Sequence, residues 1–483
     1  MNETKSTVQY KGIQQTIWKN LGWLLMGEMM QRGVYVLLMI SIARILGVGE
    51  FGKFQFALAL VSLFALFSDM GISDIIPREF SRSPLKERDF PSLLSLKLLF
   101  ALGTFVGMVA LSFLVTQDLA IRHAILVLTL FLIFRNFLSL FFAFFQARQR
   151  MHYEALLKGV HGGVLLVVGM LVLWKAPSLA NVSYGYLLAT FAALVASLVF
   201  FHVRIRPLSL EWNRPVWIRY LKSSLPIGFA SLMGGVYLYF SSALLGYWGY
   251  VREVGWYNAA FQLAGAAFLG ASLVALAFVP ALSKAWAKSQ EELRRIWSHF
   301  LSVMVVLALP LVVGGFSLAP KLVDFLYGSS YARAIPVLEV FSLIIGFYFL
   351  YLPFGVLLVV SNKEKKYFLC QFVGAVSYIL LSLIGIPFFG LQGAVGATVG
   401  GYAILLILGI LFARNFTPTR IVAPDFLRVV LAASISALLM GIALGHPIFS
   451  SFHVIVVGLV GLGIYFTFLL FFYRVHLWSF SRV

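Results

Sequence analysis

"ARILGVGEFGKFQFALAL" (Ala43–Leu60) and "GYWGYVREVGWYNAAFQL" (Gly246–Leu263) are one turn written twice, 203 residues apart and without a gap. Glu50 aligns with Glu253, Gly52 with Gly255, Ala57 with Ala260 and Leu60 with Leu263, while Phe54 lies opposite Tyr257. Four identities in an eleven-residue window imply a duplicated hairpin, and hence two equivalent halves. Pro77 meets Pro280 at the same offset. "GVYVLL" (Gly33–Leu38) resembles "GVYLYF" (Gly235–Phe240) one residue out of register.

The chemistry around the turn sets its environment. Of the 483 residues 61% are hydrophobic and only 11% charged, and the mean hydropathy is +0.94. Soluble domains are about 45–50% apolar and about 25% charged, so this composition is that of an integral membrane protein. The net charge of +19 does not indicate nucleic acid. Nucleic-acid binders gather Lys and Arg on one face or tail, whereas here the cations recur in short clusters between apolar segments. The single cysteine, Cys370, excludes an intramolecular disulfide, and no metal-ligand spacing is present. No D-x-D pair, large external loop or catalytic constellation points to a glycosyltransferase or polymerase, so no enzyme is expected. The first apolar segment reads as an uncleaved helix, because no A-x-A site follows it.

A spanning helix needs about 20 mostly apolar residues. Fourteen such segments begin near residues 20, 53, 93, 121, 156, 180, 223, 254, 296, 335, 366, 391, 425 and 452. Twenty-eight Lys and Arg fall on one side of that alternation, from Lys5, Lys11 and Lys19 through Lys97, Lys158 and Arg206 to Arg420, Arg474 and Arg482. Seven fall on the other: Arg44, Lys53, Arg122, Lys175, Arg252, Lys321 and Arg333. The positive-inside rule then places both termini in the cytoplasm and both copies of the turn outside. Two halves of like orientation are expected to be related by a pseudo-two-fold axis along the membrane normal. The expected fold is all-α, with about fourteen transmembrane helices: two six-helix lobes plus a C-terminal helix pair. Its parts are an N-terminal lobe (1–202), a cytoplasmic linker (203–222), a C-terminal lobe (223–413) and helices 13–14 with a tail (414–483). Trp18, Trp174, Trp212, Trp217, Trp248 and Trp297 fall at helix ends, as an interfacial belt requires. "ALSKAWAKSQEELRRIW" (Ala281–Trp297) reads as a short basic amphipathic helix on the cytoplasmic surface.

Four stretches carry a family resemblance: "ARILGVGEFGKF", "FSDMGISDIIPREFSR" (Phe67–Arg82), "LAPKLVDFLYGSSYARAIPVLEV" (Leu318–Val340) and "FFGLQGAVGATVGGY" (Phe388–Tyr402). In this order, over nearly the whole chain, they resemble the bacterial polysaccharide (O-antigen type) flippases of the multidrug/oligosaccharidyl-lipid/polysaccharide exporter superfamily. The resemblance implies a two-lobed bundle whose central cavity opens to one side at a time. It implies a polyprenyl-diphosphate-linked oligosaccharide as substrate, moved from the cytoplasmic to the outer leaflet of the inner membrane for surface polysaccharide export. Membrane lipids are its surroundings, a polysaccharide polymerase and glycosyltransferases its working partners, and nucleic acid is not one. No cofactor is implied; coupling to a proton or sodium gradient stays open. Fourteen helices, against the twelve of many polysaccharide flippases, is the number in lipid II flippases. A lipid II-type flippase or a cation-coupled drug antiporter of the same superfamily is therefore the alternative.

Arg32 and Arg135 lie mid-helix. Each costs about 2.5–3.5 kcal/mol at a lipid-facing helix centre, so each is expected to face protein or a water-filled cavity. Guanidinium matches phosphate oxygens in bidentate geometry, which makes both candidate diphosphate ligands. Glu28, four residues before Arg32 on the same face, offers neutralisation instead; Arg135 has no acidic residue within four positions. Gln31, Asn136, Gln146, Tyr237, Asn258, Gln262 and Gln371 are candidate sugar contacts or helix–helix hydrogen-bonding residues. Asp69 and Asp74, beside Arg78, read as an inner gate or as interfacial carboxylates, and Glu339 as a coupling-ion ligand or an interfacial carboxylate. Pro310 and Pro353 are expected to interrupt their helices, and Gly234–Gly235 to bend helix 7.

Overall fold

An α-helix rises about 1.5 Å per residue, so about 20 residues cross a hydrocarbon core about 30 Å thick. Two helical segments in this chain are far longer than that. In the computed structural model, which describes residues 2–205, 207–414 and 424–478, residues 2–65 form one 64-residue helical stretch and 364–413 one of 50. Both are broken by glycine. Gly47 takes φ 74° and ψ 172°, and Gly390 takes φ 54° and ψ −125°, a half of dihedral space that an L side chain rarely enters. Among the described residues twelve helical segments are long and apolar enough to cross a membrane; with these two counted as double passes, about fourteen crossings result. The protein is a multi-pass membrane protein, and among the described residues every regular element is helical.

The chain divides into two units, Met1–Ala243 and Leu244–Val483. The first holds α1 (Asn2–Ala65), α2 (Ile72–Arg82), α3 (Phe90–Val115), α4 (Leu119–Ala147), α5 (Met151–Lys175), α6 (Leu179–Arg204) and most of α7 (Arg214–Tyr247). Polar side chains mark the helix starts: Asp118 accepts from the amides of Ala120 and Ile121 at α4, and Ser178 from that of Asn181 at α6. Lipid is as apolar as leucine, so these helices associate through close packing instead of water exclusion. An aromatic cluster does this at one end of the unit. Phe90 stacks on Phe201 with centroids 5.0 Å apart, and Phe144 meets Phe201 edge-on at 4.9 Å.

The second unit holds α8 (Val251–Lys288), α9 (Gln290–Tyr327), α10 (Ala334–Val360), α11 (Glu364–Ala413), α12 (Pro424–Leu444) and α13 (Val454–Trp478). The last two pack together and onto α9 through Ala433, Ala437, Met440, Val457 and Tyr465, and the Tyr465 hydroxyl donates to the Val306 carbonyl at 2.8 Å.

Several sequence expectations are corrected. Ala281–Trp297 is no separate helix: α8 runs on to Lys288 and α9 begins at Gln290, where Ser289 accepts from the Glu292 amide. Pro310 and Pro353 sit inside unbroken α9 and α10. Arg206, Arg420 and Arg482, and the side chains of Lys5, Lys11, Trp18, Lys19 and Arg474, lie outside the described residues.

Candidate functional site

The polar centre of the first unit begins with a close approach. A Cβ on Gly27 of α1 would lie 3.1 Å from the Cα of Ala155 on α5, and one on Gly162 3.9 Å from the Cα of Gln31. Small residues let two backbones come this near. The spacing of Glu28, Gln31, Arg32 and Tyr35 puts them on one face of α1, and that of Glu154, Lys158 and His161 on one face of α5. The two faces meet.

There the Lys158 ammonium lies 2.7 Å from Glu154 Oε1 and also bonds Glu28 Oε1. Glu28 Oε2 accepts from Arg32 Nε at 3.2 Å. Gln146 Nε2 donates to Glu154 at 3.0 Å. Glu154 is 1% exposed, whereas the Arg32 side chain is 58% exposed. One turn along, His161 Nδ1 faces the Gln31 amide at 3.2 Å and Nε2 the Thr190 hydroxyl at 2.9 Å. With Nδ1 accepting from Gln31, Nε2 carries the proton and donates to Thr190, so the buried ring is satisfied as a neutral imidazole. Arg135 on α4 interacts electrostatically with Tyr35 and His161. It is exposed, and among the described residues no carboxylate pairs with it.

A second polar cluster seals a helix break. After α1 the chain turns through Met70 and Gly71, both with positive φ, and frees backbone carbonyls that an apolar surrounding cannot satisfy. Asn136 Nδ2 donates to the Ala65 carbonyl at 2.9 Å and to Ser68. Lys97, 1% exposed, bonds Asp69 Oδ1 at 2.5 Å, Ser73 Oγ at 2.8 Å and the Asn136 carbonyl. Asp74 accepts from Ser231 of α7 at 3.5 Å. A Cβ on Gly71 would lie 2.7 Å from the Gly228 nitrogen, so the break rests directly on α7.

In the second unit three of the quoted stretches converge. Glu253, from the repeated turn, accepts the Leu391 amide just past the Gly390 break. Trp256 donates to the Ser330 carbonyl at 3.3 Å and lies under the Arg333 guanidinium at 4.9 Å. Tyr327 donates to the Ala259 carbonyl at 3.1 Å.

The structure thus gathers Glu28, Gln31, Arg32 and Arg135 around one cluster, with Gln146 at its buried edge, and commits Asn136 and Asp69 to the helix break. Tyr237 is buried. Asn258 donates to the Val254 carbonyl of its own helix at 2.9 Å, and Gln371 to the Tyr367 hydroxyl at 3.4 Å. The Gln262 carbonyl oxygen is buried without a hydrogen-bond partner among the described residues. Arg78 is exposed and Glu339 half-buried, each outside these clusters. Lys97, Glu154, Lys158, His161 and Thr190 were not singled out from the sequence. Lys97 and Lys158 counted there only as topological cations; the i, i+4, i+7 run of Glu154, Lys158 and His161 was the available signal.

Solved structures share this fold. The lipid II flippase MurJ, in an inward closed conformation, superposes with a TM-score of 0.75 over 95% of this chain and 100% of that one, at 15% identity. An inward-facing multidrug resistance MATE family transporter of the MOP superfamily gives 0.67 over 85% and 99%, also at 15% identity. A MOP superfamily transporter from Pyrococcus furiosus gives 0.56 over 83% and 95%, at 15% identity. Likeness at this identity shows the fold alone. No curated protein matches the sequence. Residues 17–286, more than half of the chain, match the family described as polysaccharide biosynthesis protein, and the chain belongs to that family of membrane proteins.

Proposed function

We propose that the protein is a flippase that carries a polyprenyl-diphosphate-linked oligosaccharide from the cytoplasmic to the outer leaflet of the bacterial inner membrane by alternating access. The observation that carries this reading is Arg135: an exposed guanidinium midway along a spanning helix, with no carboxylate paired to it among the described residues. A permanent lipid contact there costs about 2.5–3.5 kcal/mol; a hydrated path for an anionic headgroup makes the same residue useful. Arg32 stands in the same polar cluster with its guanidinium exposed. A diphosphate needs cations that hold it in transit without trapping it, so a few arginines suit the task better than a continuous basic track. Guanidinium supplies the paired donors that phosphate oxygens accept.

The sugars would meet amides and hydroxyls such as Gln262, whose buried oxygen lacks a partner among the described residues. Coupling to a proton or sodium gradient would draw on Asp74 or Glu339. The cytoplasmic location of both termini rests on the distribution of basic residues. A lipid II-type substrate is the second reading, favoured by the α12–α13 pair packed on α9; it presents the same diphosphate.

The test is Arg135→Ala in cells that depend on this protein for surface polysaccharide. Export is expected to fail at normal protein abundance, with lipid-linked intermediates accumulating inside, and Arg135→Lys is expected to recover only part of it. Wild-type export by Arg135→Ala would remove the residue from the substrate path. Accumulation of lipid II in place of the oligosaccharide would select the second reading.

A further inference from the structure

Among the described residues two arginines form an ion pair with a glutamate, Arg32 and Arg148, and the two pairs differ. Arg148 holds Glu87 side-on: Nε reaches Oε1 at 3.0 Å while Nη2 reaches Oε2 at 2.5 Å. Both donors on that edge of the guanidinium are used, as in a closed bidentate pair. Arg32 offers Glu28 only Nε, at 3.2 Å, and its terminal nitrogens make no hydrogen bond among the described residues. The cause lies on the neighbouring helix. Glu28 Oε1 is already taken by Lys158, which a second carboxylate, Glu154, holds at 2.7 Å. Lys158 is nine-tenths buried between them. Its hold on Oε1 keeps Glu28 from turning both oxygens toward Arg32.

We propose that Lys158 is a positioning residue of the anion site: by holding one oxygen of Glu28, it keeps the Arg32 guanidinium open for phosphate. This rests on the diphosphate reading above and adds a residue to it. Charge alone gives a different expectation. Lys158 and Glu154 cancel, so removing both leaves the net charge of the cluster unchanged. The bond pattern says that removing both releases Glu28 to close on Arg32.

The experiment measures binding of inorganic pyrophosphate to the purified full-length chain in detergent by titration calorimetry, at fixed low ionic strength. Lys158→Met/Glu154→Gln, which leaves no unpaired buried charge, is expected to bind at least tenfold more weakly than wild type. Adding Glu28→Gln is expected to restore the affinity to the wild-type value or above it, because nothing then competes for Arg32. Elution as a single symmetric size-exclusion peak shows that each variant is folded. Wild-type affinity in the double variant overturns the proposal, and so does a triple variant as weak as the double, since a merely structural role predicts that. No pyrophosphate binding by wild type, or undiminished binding by Arg32→Gln, overturns the anion-site reading itself and takes the proposal with it.

Discussion

Gly393→Ala puts the broken helix α11 to a steric test. The two arms, residues 364–389 and 391–413, meet at Gly390, and Gly385 on one faces Gly393 on the other. A Cβ at residue 393 would lie 2.0 Å from the Gly385 oxygen, 2.3 Å from its carbonyl carbon and 2.8 Å from the Ile386 nitrogen. Ordinary contact begins near 3.4 Å, so the arms must part there by more than an ångström. Two effects compete. Alanine is favoured over glycine within a helix by about 1 kcal/mol. Overpacking costs about 1–3 kcal/mol, and the upper end applies here because the obstacle is backbone that cannot rotate aside. The expected net loss is about 2 kcal/mol. Gly396→Ala is the control: on the same arm, with no heavy atom within 4 Å of its added Cβ, it feels only the propensity term. Thermal unfolding of the purified chain in detergent, followed by tryptophan fluorescence, is expected to show a lower midpoint for Gly393→Ala. The midpoint for Gly396→Ala should be unchanged or raised. Equal midpoints for the two variants would refute the claim that close contact between the arms holds the break.

Lys97→Met strands Asp69 at the first-unit break, and removing one partner of a buried pair costs about 3–5 kcal/mol. The thermal midpoint is expected to fall and to recover largely in Lys97→Met/Asp69→Asn. Gly228→Ala would put a Cβ 2.9 Å from the Met70 carbonyl, pushing α7 off the break. Copper-catalysed cross-linking of Asp74→Cys to Ser231→Cys is then expected to drop several-fold against the Gly228 parent. For the proposed orientation, Ser329→Cys is expected to label with a membrane-impermeant maleimide in intact cells and Ser289→Cys only after permeabilisation; both positions are exposed.

What the sequence made legible follows range of interaction. Span number was readable because length and hydropathy are local properties of each segment. The Glu28–Arg32 pair was readable because four residues is one helical turn. Lys158 stands 130 residues from Glu28, and the two meet through the packing of α5 on α1, as at Gly27 and Ala155, so its role was not. Lys97 looked like a loop cation because it lies in the second turn of α3; its burial follows from the carbonyls and carboxylate of the break beside it. The Ala281–Trp297 expectation failed for a related reason. Its charges mark helix ends leaving the apolar layer, and the one serine at 289 is enough to divide α8 from α9. Pro310 and Pro353 look like breaks when only the missing amide is counted, but neighbouring helices support a membrane helix through such a site.

The repeated turn gains a physical reason from its two settings. In the first unit Lys53 of the turn lies 3.0 Å from Glu50 and 3.6 Å from Asp118, the residue that caps α4. In the second, Glu253 itself takes the first free amide of the arm that follows Gly390. Both copies therefore tie a charged turn to the start of another helix, where unpaired amides and the helix dipole favour negative charge. The residues doing so differ: a lysine reaching a capping aspartate in one copy, a glutamate acting as the cap in the other. The aligned positions explain this. Lys53 corresponds to Trp256, which holds the Ser330 carbonyl and the Arg333 guanidinium instead. Duplication kept the turn and its acidic position, and divergence at the next turn of helix changed which neighbour each copy anchors. The same divergence appears mid-membrane, where the position matching Arg32 is about Gly234. A buried lysine–carboxylate network fills the first unit there, while glycine adds no charge on α7. On the diphosphate reading, substitutions at Arg32, Arg135 and Lys158 are therefore expected to outweigh any at their second-half counterparts.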